Sequence, residues 1–445
     1  MNGISPGLSR YTETLNFWRS RMNTYPITLS ILCLLSALVS AADWPRFLGP
    51  GGGGVSAEAV PTEWSDTQHI AWKKDLPGPG NSSPVVSIGK LYLTCYSGYG
   101  TDRREPGDIA KLQRHLICFD AKSGEQLWER IVPSENEEDP YRGYITEHGY
   151  ASSTPVADGE HVAVFYGKTG IVVYDVKGEE RWRKNLGTGS SLKRWGSAAS
   201  PIFYEDLVIV NAAEESGTLY AFKKATGEEV WKAEGAALPM TYGTPRMVAV
   251  GDRHSLILAL PKEIWGMNPE SGKLRWMCTT PYGGNISPSM AVGEGKAFAF
   301  GGFPQKGAVA IKLGGKGDVS DTHRIWDVKE TPYVPTPVYV KGRLYWASRD
   351  SFAYCLDAET GKEVYKARLK SETDAPKFYA SPVCINQKIY LVSRNAGTFI
   401  LGTGTEFEQL GQNILHGDTS DFSGSPAVSA GRLYLRSNQS IYCIQ

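Results

Sequence analysis

The sequence lacks an excess of charge of either sign, a hydrophobic run long enough to span a membrane, and any Cys-x-x-Cys motif. Lys plus Arg and Asp plus Glu each number 47 among 445 residues. This balance gives no electrostatic reason to expect nucleic acid or an anionic membrane as the main partner. No cluster of Cys and His has the spacing of a metal site, so no metal ligands are predicted.

Glycine and proline are abundant, with 49 and 26 residues, and apolar residues make up 41% of the chain. Such a composition favours many turns between short strands over long helices. The length allows one large domain or two ordinary ones, each with enough apolar residues for a sizeable core.

The N-terminal region has the pattern of an export signal. Ile27–Val39 is a 13-residue apolar run, which is too short for a spanning helix, and the small residues Ala41 and Ala42 follow it. We expect residues 1–42 to be a signal peptide with an N-terminal extension, cleaved near Ala41 or Ala42, with Met22 as an alternative start. This predicts a periplasmic or secreted protein, and the alternative is a buried helix or a membrane anchor.

A recurring segment organises the rest of the chain, and Ser197–Trp231 is one complete copy. It has a Ser-Pro opening, two apolar runs around a short turn, a variable loop, another strand, a Thr-Gly turn and a closing Trp. After a first interval of 71 residues, the openings are 43 to 49 residues apart, as in the four-stranded blades of a propeller. The opening prolines are Pro84, Pro155, Pro201, Pro245, Pro288, Pro337, Pro382 and Pro426.

The closing aromatic residues give a second count of the blades. The eighth copy stops before its closing strand, whereas Ile70–Lys74 is a closing strand without a blade of its own. We therefore predict an all-β, eight-bladed β-propeller of four-stranded antiparallel blades over residues 70–445. The N-terminal strand would complete the last blade and leave no open edge. The residues expected to pack between blades are Trp72, Trp128, Trp182, Trp231, Trp276, Trp326 and Tyr365, with Leu410 in the seventh position.

Two further features concern packing. Cys118, Cys355 and Cys443 share one repeat position, where the copy above has Ala221. An oxidising compartment would permit disulfides, but a small buried position predicts free, packed thiols. Residues 43–69 form a Gly/Pro-rich lead-in arm, which we expect to be exposed and flexible, with pinning by Trp44 and Phe47 as the alternative.

The blade endings CFDAKSGEQLW (Cys118–Trp128), AFKKATGEEVW (Ala221–Trp231) and CLDAETGKEVY (Cys355–Tyr365) resemble the PQQ-like repeat family. The resemblance covers about residues 70–445. That family includes quinoprotein alcohol dehydrogenases, which hold pyrroloquinoline quinone (PQQ) and Ca²⁺ on the propeller axis. It also includes BamB, a non-catalytic lipoprotein of outer-membrane barrel assembly. The resemblance implies the fold and leaves the function open.

Two departures favour binding over catalysis. The dehydrogenases have a disulfide between adjacent cysteines against the cofactor, and this chain has no Cys-Cys pair. No set of Glu, Asn and Asp matches their calcium ligands either. The lipidated cysteine of BamB is also missing.

Two long insertions fall on one face of the predicted propeller. The links between blades and the second–third loops emerge on this loop face, and the short turns emerge on the opposite turn face. The insertions are Tyr96–Arg114 and Pro133–Tyr150, on adjacent blades. Long loops on a rigid scaffold often bind partners, although decoration or disorder is the alternative. The acidic run Glu135–Asp139 is expected to be solvated or to pair with Arg103 and Arg104.

The residues just before the blade openings form a rim around the axis on the loop face. An aromatic rim with a few polar groups suits a sugar, a peptide or a flat cofactor. The alternative is that the rings only fill the mouth of the funnel. The candidate ligand-binding residues are His148, Tyr150, Arg194, Trp195, Tyr242, Asn285, Tyr333, Tyr379 and Phe422, together with Glu214.

Glu214 and Glu215 are the candidate acidic groups of the second–third loop of blade 3. Two carboxylates could hold a cation or act as acid and base. Because adjacent residues of an extended segment point in opposite directions, at most one would face the axis. His148 is the candidate general base.

These observations predict an exported, non-catalytic, monomeric propeller that binds an envelope protein or a glycan through its loop face and needs no cofactor. The alternative is an oxidoreductase of alcohols or sugars that uses PQQ and Ca²⁺.

Overall fold

Eight small sheets follow one another along the chain, each built from neighbouring antiparallel strands. The computed structural model describes residues 43–191, 193–301 and 303–445, and the predicted signal peptide lies outside them. The prediction of an eight-bladed β-propeller is confirmed. Apolar residues from facing sheets fill the spaces between neighbouring blades.

Each blade begins with a strand at the axis and ends with a strand at the outer edge. In that order, blades 1 to 4 consist of Val85–Ser87, Lys90–Ser97, Gln113–Asp120 and Gln126–Pro133; Val156–Ala157, His161–Phe165, Ile171–Asp175 and Glu180–Lys184; Ile202–Tyr204, Leu207–Ala212, Thr218–Lys223 and Glu229–Glu234; and Arg246–Val250, Arg253–Leu260, Glu263–Met267 and Leu274–Thr279. Blades 5 to 8 consist of Ala291–Gly293, Lys296–Gly301, Gly307–Lys312 and Arg324–Val328; Val338–Val340, Arg343–Ala347, Phe352–Asp357 and Glu363–Arg368; Val383–Ile385, Lys388–Val392, Thr398–Gly402 and Gln409–Asn413; and Ala427–Ser429, Arg432–Arg436, Ser440–Ile444 and Ile70–Asp75.

Short elements complete the described part of the chain. Two-residue strands at Gly317–Asp318 and Val55–Ser56 add parallel edges to blades 4 and 7. No helix among the described residues is long and apolar enough to cross a membrane. The α-helical turns are Ile145–His148, Ala213–Ser216 and Ser320–His323, and the 3₁₀ turns are Pro50–Gly52, Ile109–Lys111 and Gly167–Thr169.

The ring closes between the two ends of the repeat region. Strand Ile70–Asp75 pairs antiparallel with Ser440–Ile444, the third strand of blade 8, as the sequence predicts. On the other side of this blade, Arg436 donates a hydrogen bond of 2.8 Å to the carbonyl oxygen of Thr94 in blade 1. Closure therefore joins blade 8 both to the N-terminal strand and to its neighbour.

Eight hydroxyl groups form a closed hydrogen-bonded circle around the axis, which we call the hydroxyl ring. In each blade, the backbone N–H of a Ser or Thr donates to the side-chain oxygen of its counterpart in the next blade, at 2.9 to 3.1 Å. The last link runs from Ser425 back to Ser83. The members are Ser83, Thr154, Ser200, Thr244, Ser289, Thr336, Ser381 and Ser425.

The hydroxyl ring corrects the opening of blade 5. In the other seven blades the ring residue directly precedes the opening proline, but in blade 5 it is Ser289, which follows Pro288. Met290 therefore occupies the position of the opening proline in this blade. The proline was misleading because the hydroxyl group, and not the pyrrolidine ring, makes the contact between blades.

Five of the closing Trp residues make the same contact with the next blade. The Trp182 indole covers Gly227 and donates from Nε1 to the Lys224 carbonyl oxygen at 2.7 Å. A Cβ atom at Gly227, where φ is 71°, would lie 2.6 Å from this indole, so a side chain there would clash. The others of this kind are Trp72, Trp128, Trp231 and Trp326.

Trp276 and Tyr365 depart from this pattern. Trp276 is buried and its Nε1 has no partner among the described residues. Tyr365 packs edge-on against Phe407, with the ring centroids 5.7 Å apart. Both residues still fill the space between two blades.

The cysteines of the described chain are free and buried. Cys118, Cys355 and Cys443 lie directly opposite the closing residue of their blade across the third and fourth strands. Blade 4 has Gly266 there, where an added Cβ atom would lie 1.9 Å from Trp276. In these blades a small facing side chain leaves room for the large closing residue.

The lead-in arm is packed across the turn face, which corrects the expectation that it is exposed. Trp44 pairs with Val86 of blade 1, and Arg46 donates to the Pro245 carbonyl oxygen of blade 4 at 3.3 Å. Further along, the Gly54 carbonyl oxygen accepts from blade 7, and Glu58 accepts from Gly431 of blade 8 at 2.6 Å. The arm thus joins blades from opposite sides of the ring.

Replacing Ser200 tests the hydroxyl ring. Ser200→Ala leaves the buried N–H of Thr154 without an acceptor, which should lower the free energy of unfolding by about 1–3 kcal/mol. Ser200→Thr keeps the acceptor and should fall within about 1 kcal/mol of wild type. Urea unfolding measures both, and equal losses for the two variants would contradict a role for the hydroxyl group.

Candidate functional site

The propeller axis contains a cavity of about 170 Å³. The hydroxyl ring forms its wall, and Phe47 of the arm closes it from the turn face. The loop-face end is lined by aromatic side chains, including Trp195, Tyr242 and Tyr333. We call this space the axial cavity.

The link between blades 1 and 2 folds over the mouth of the axial cavity, and we call residues 134–150 the lid. Glu147 in the lid reaches across the axis to Arg394 of blade 7, at 2.7 Å. The same guanidinium also binds Asp421 in the link to blade 8. The pairing of Glu147 and Arg394 spans 247 positions of the sequence.

Aromatic stacking continues the lid towards blades 3 and 4. The Tyr144 ring lies 4.5 Å from that of Trp195, which in turn stacks on Tyr242 at 5.6 Å. Tyr144 remains 43% exposed, whereas Trp195 and Tyr242 are buried. The predicted rim is therefore covered by the lid and does not form an open collar.

His148 holds the end of the lid in place. Its Nε2 lies against the Trp195 carbonyl oxygen, so this nitrogen carries the proton and Nδ1 accepts from Ser152 Oγ at 2.7 Å. Burial lowers the pKa of His148, which favours the neutral imidazole. Because both ring nitrogens are engaged, this geometry supports a positioning role more than that of a general base.

The two insertions pack together through tyrosines. Tyr99 and Tyr150 have ring centroids 5.8 Å apart, and the Tyr99 hydroxyl accepts from the Tyr141 backbone. The first insertion is shorter than predicted and spans residues 98–112, because Tyr96 and Arg114 are paired strand residues. The loop and the lid thus form one continuous surface on the loop face, which we call the platform.

Ion pairs inside the platform differ from the expected ones. Arg114 pairs with Glu138 at 2.7 Å, and Lys168 pairs with Asp139 at 3.0 Å. Arg103 lies 3.6 Å from Glu147 and not beside the acidic run. That run is partly buried because cations of blades 1 and 2 neutralise it.

A second, smaller cavity of about 40 Å³ lies beside the axial cavity, beneath the lid. Ser152 and Gly196 line both spaces. Four buried polar atoms without a protein partner among the described residues belong to residues lining this cavity: Arg114 Nε, Ser153 Oγ, Tyr166 Oη and Glu214 Oε2. A polar space of this size accommodates a few water molecules.

Glu214 and Glu215 lie in a helical turn, not in an extended segment as expected. Glu214 accepts from the Ser191 backbone N–H at 3.0 Å, and Glu215 accepts from the Ser197 hydroxyl. Burial, with Glu214 and Glu138 nearby, raises the pKa of Glu215 to about 8. Glu215 is therefore mostly protonated at neutral pH.

The structure brings five of the ten candidate residues to the axial cavity and separates the others. The five are His148, Trp195, Tyr242, Tyr333 and Tyr379. Tyr150 and Glu214 line the smaller cavity. Arg194 has a side chain that is 61% exposed, Asn285 pairs with Phe303, and Phe422 stacks on Tyr442.

Several lining residues were not among the candidates. The hydroxyl ring was detectable, because a Ser or Thr stands directly before seven of the opening prolines. Tyr144 and Glu147 gave no comparable signal, since their place over the axis depends on the path of the lid.

The blades, the hydroxyl ring and the axial cavity define an eight-bladed propeller with a closed axis and one elaborated face. A family model described as outer membrane protein assembly factor BamB matches residues 113–299 and 316–410. The chain belongs to this BamB-like family of PQQ repeats. No curated protein sequence matches the chain.

Solved structures share the fold at low sequence identity. BamB from Moraxella catarrhalis is 12% identical with a TM-score of 0.57, covering 84% of this chain and 99% of its own. Quinohemoprotein alcohol dehydrogenase from Comamonas testosteroni is 12% identical with a TM-score of 0.55, covering 90% and 80%. The computationally designed Ika8 protein is 9% identical with a TM-score of 0.53, covering 83% and 97%. At such identities these likenesses concern the fold alone.

The residues of the axial cavity do not fit PQQ with calcium. Calcium prefers six to eight oxygen ligands with carboxylates among them, but the one carboxylate lining the cavity, Glu147, is bound by Arg394. No group of three or more His, Cys, Asp or Glu in the described chain is arranged to hold a metal. The volume is close to that of an engineered cavity of about 150 Å³ that holds one benzene ring, which is small for a fused three-ring cofactor.

Replacing Glu215 tests its protonation. Since the pKa is raised on folding, the proton stabilises the native state at low pH, and this contribution is lost as the pH rises from about 4.5 through about 8. Glu215→Gln mimics the protonated acid. It should match wild type near pH 4.5 and exceed its free energy of unfolding at pH 8.5, by at most about 3–5 kcal/mol.

Urea unfolding between pH 4.5 and 8.5 measures this difference. Glu205→Gln, in an exposed turn of the same blade, is the matched control and should follow wild type. A constant difference between Glu215→Gln and wild type across this range would contradict the raised pKa.

Proposed function

We propose that this protein is an exported, non-catalytic propeller that binds another protein of the cell envelope through the platform. The observation that carries the proposal is that the loop and the lid pack on each other and are anchored across the axis by Glu147 and Arg394. An ordered surface of this kind loses little conformational entropy on binding.

The exposed side chains of the platform and its neighbourhood suit a protein partner. Tyr144 is 43% exposed, and the side chains of Arg103 and Arg194 are 70% and 61% exposed. Tyr and Arg are enriched among the residues that dominate binding energy at protein interfaces. The family description as an assembly factor is in keeping with a scaffold role.

Location and assembly state belong to the same proposal. The apolar run at Ile27–Val39 supports export to the periplasm or secretion. We further propose that the protein acts as a monomer and needs no cofactor. Oxidoreductase chemistry with PQQ has the weaker support, because the axial cavity lacks a free carboxylate for calcium.

A double variant at Tyr144 on the platform and at Arg194 beside it tests the protein-binding proposal. The double variant Tyr144→Ser/Arg194→Glu should reduce recovery of a specific envelope protein by at least about tenfold, since a central aromatic anchor and an Arg each contribute about 2 kcal/mol or more. Affinity purification of the tagged full chain from envelope extract, with quantitative mass spectrometry, measures the recovery.

The matched control is a double variant on the turn face, Glu205→Ser/Lys223→Glu, at exposed or half-buried positions. It should retain the partner. Equal losses for the two double variants, or full retention by both, would refute binding through the platform.

Cofactor binding is tested separately. Addition of PQQ with Ca²⁺ to the purified full chain should leave its melting temperature unchanged and give no dye-coupled alcohol oxidation. A saturable upward shift together with turnover would replace the binding proposal with the oxidoreductase.

A further inference from the structure

The axial cavity has an excess of hydrogen-bond donors. Each oxygen of the hydroxyl ring accepts a backbone N–H, and none of these hydroxyl groups donates to a protein acceptor within the described residues. Each hydroxyl proton is thus available to a guest, because Ser and Thr both donate and accept.

Two buried polar groups at the same cavity strengthen this pattern. Trp195 Nε1 and Ser423 Oγ have no hydrogen-bond partner in the described chain, and both residues line the axial cavity. Each is more than nine-tenths buried. An indole N–H is only a donor, so it requires an acceptor that the protein does not supply.

Aromatic rings close the two ends of the same space. Phe47 lies at the turn-face end, and Tyr144, Trp195 and Tyr242 lie at the loop-face end. Aromatic faces favour flat apolar surfaces at both ends of a ligand, whereas the hydroxyl ring favours oxygen atoms around its edge. The volume of about 170 Å³ admits one six-membered ring.

The lining carries no free charge. Glu147 is bound by Arg394, and both nitrogens of His148 are engaged. A charged ligand would lose its hydration without gaining an opposite charge, which is costly in a buried site. The lining therefore favours a neutral guest.

We propose that the axial cavity binds a single neutral sugar ring of the hexopyranose class, either free or at the end of a glycan. Such a ring has hydroxyl oxygens around its edge and apolar C–H faces. Its oxygens would accept from the hydroxyl ring and from Trp195 Nε1, and its faces would pack against the aromatic ends. This site lies beneath the lid, whereas the protein-binding surface proposed above is the exposed side of the lid, and Tyr144 borders both.

Titration of the full chain with defined sugars tests the proposal. The probes are D-glucose, D-galactose and N-acetyl-D-glucosamine, with D-glucuronate as the charged comparison, followed by saturation-transfer NMR and calorimetry. At least one neutral sugar should bind saturably, and at least about tenfold more tightly than glucuronate, since an uncompensated buried charge costs more than 1.4 kcal/mol.

Two variants locate the site, and one controls for the face. Trp195→Phe removes the N–H and should weaken binding roughly fivefold, whereas Tyr144→Ala removes a ring at the mouth and should weaken it up to about tenfold. Glu372→Ala removes an exposed side chain of the loop-face link between blades 6 and 7 that does not line the cavity, and should bind as wild type does. Melting curves establish folding, and Tyr144→Ala provides the test if Trp195→Phe does not fold.

Three results would overturn the proposal. The first is that no neutral sugar binds saturably when the protein is at about 1 mM and the sugar is added up to 100-fold molar excess. The second is preferential binding of glucuronate. The third is sugar binding that is unchanged in a folded Trp195→Phe or Tyr144→Ala variant. The first would mean that the axial cavity holds only water. Loss of sugar binding in Trp195→Phe with the protein partner retained would separate this site from the platform, because Tyr144 borders both.

Discussion

The hydroxyl ring is the contact on which the geometry of the molecule depends. Eight backbone N–H groups each need an acceptor in a buried place, and the side chain of the next blade supplies it. Each such bond contributes about 0.5–1.5 kcal/mol net, but a missing acceptor costs more than that. The hydroxyl ring therefore makes any arrangement in which one blade is absent or displaced less stable. The Trp residues near the outer edge add a second set of contacts between the same blades.

Closure of the ring leaves the axial cavity, and a different segment of the chain covers each of its two ends. The arm crosses the turn face and places Phe47 under the axis, while the lid crosses the loop face and is tied to blade 7 by Glu147. The lid is connected to blade 1 through tyrosines of the neighbouring loop. A partner on the platform and a ligand in the axial cavity would thus share one segment, residues 134–150, and binding of one could affect access of the other.

The blade count and the closing strand could be predicted because they depend on local chemistry. A glycine turn beneath the indole of the preceding blade recurs in five of the blades, within a segment of nearly constant length. Pro288 led to a wrong position for the start of blade 5. The contact between blades is made by the hydroxyl group of Ser289, and proline is only its usual neighbour in sequence. The repeat therefore predicted the fold more reliably than it predicted which side chains make the contacts between blades.

The candidate site was only partly predictable. A residue just before the first strand of a blade lies near the axis, and five of the candidates do line the axial cavity. Tyr150 lies instead among the tyrosines of the platform, and Phe422 stacks on Tyr442. These outcomes depend on how links of unequal length fold, and the decisive pair, Glu147 and Arg394, is 247 positions apart in sequence. No local pattern contains that information.

Residue-resolved hydrogen exchange of the native protein tests the closed ring most directly. We expect the amides of all eight ring residues to exchange slowly and at similar rates, including that of Ser425, which bridges the seam to Ser83. Exchange of the Ser425 amide at the rate of exposed loop amides, with the other seven protected, would contradict a continuous ring and with it the closed axis.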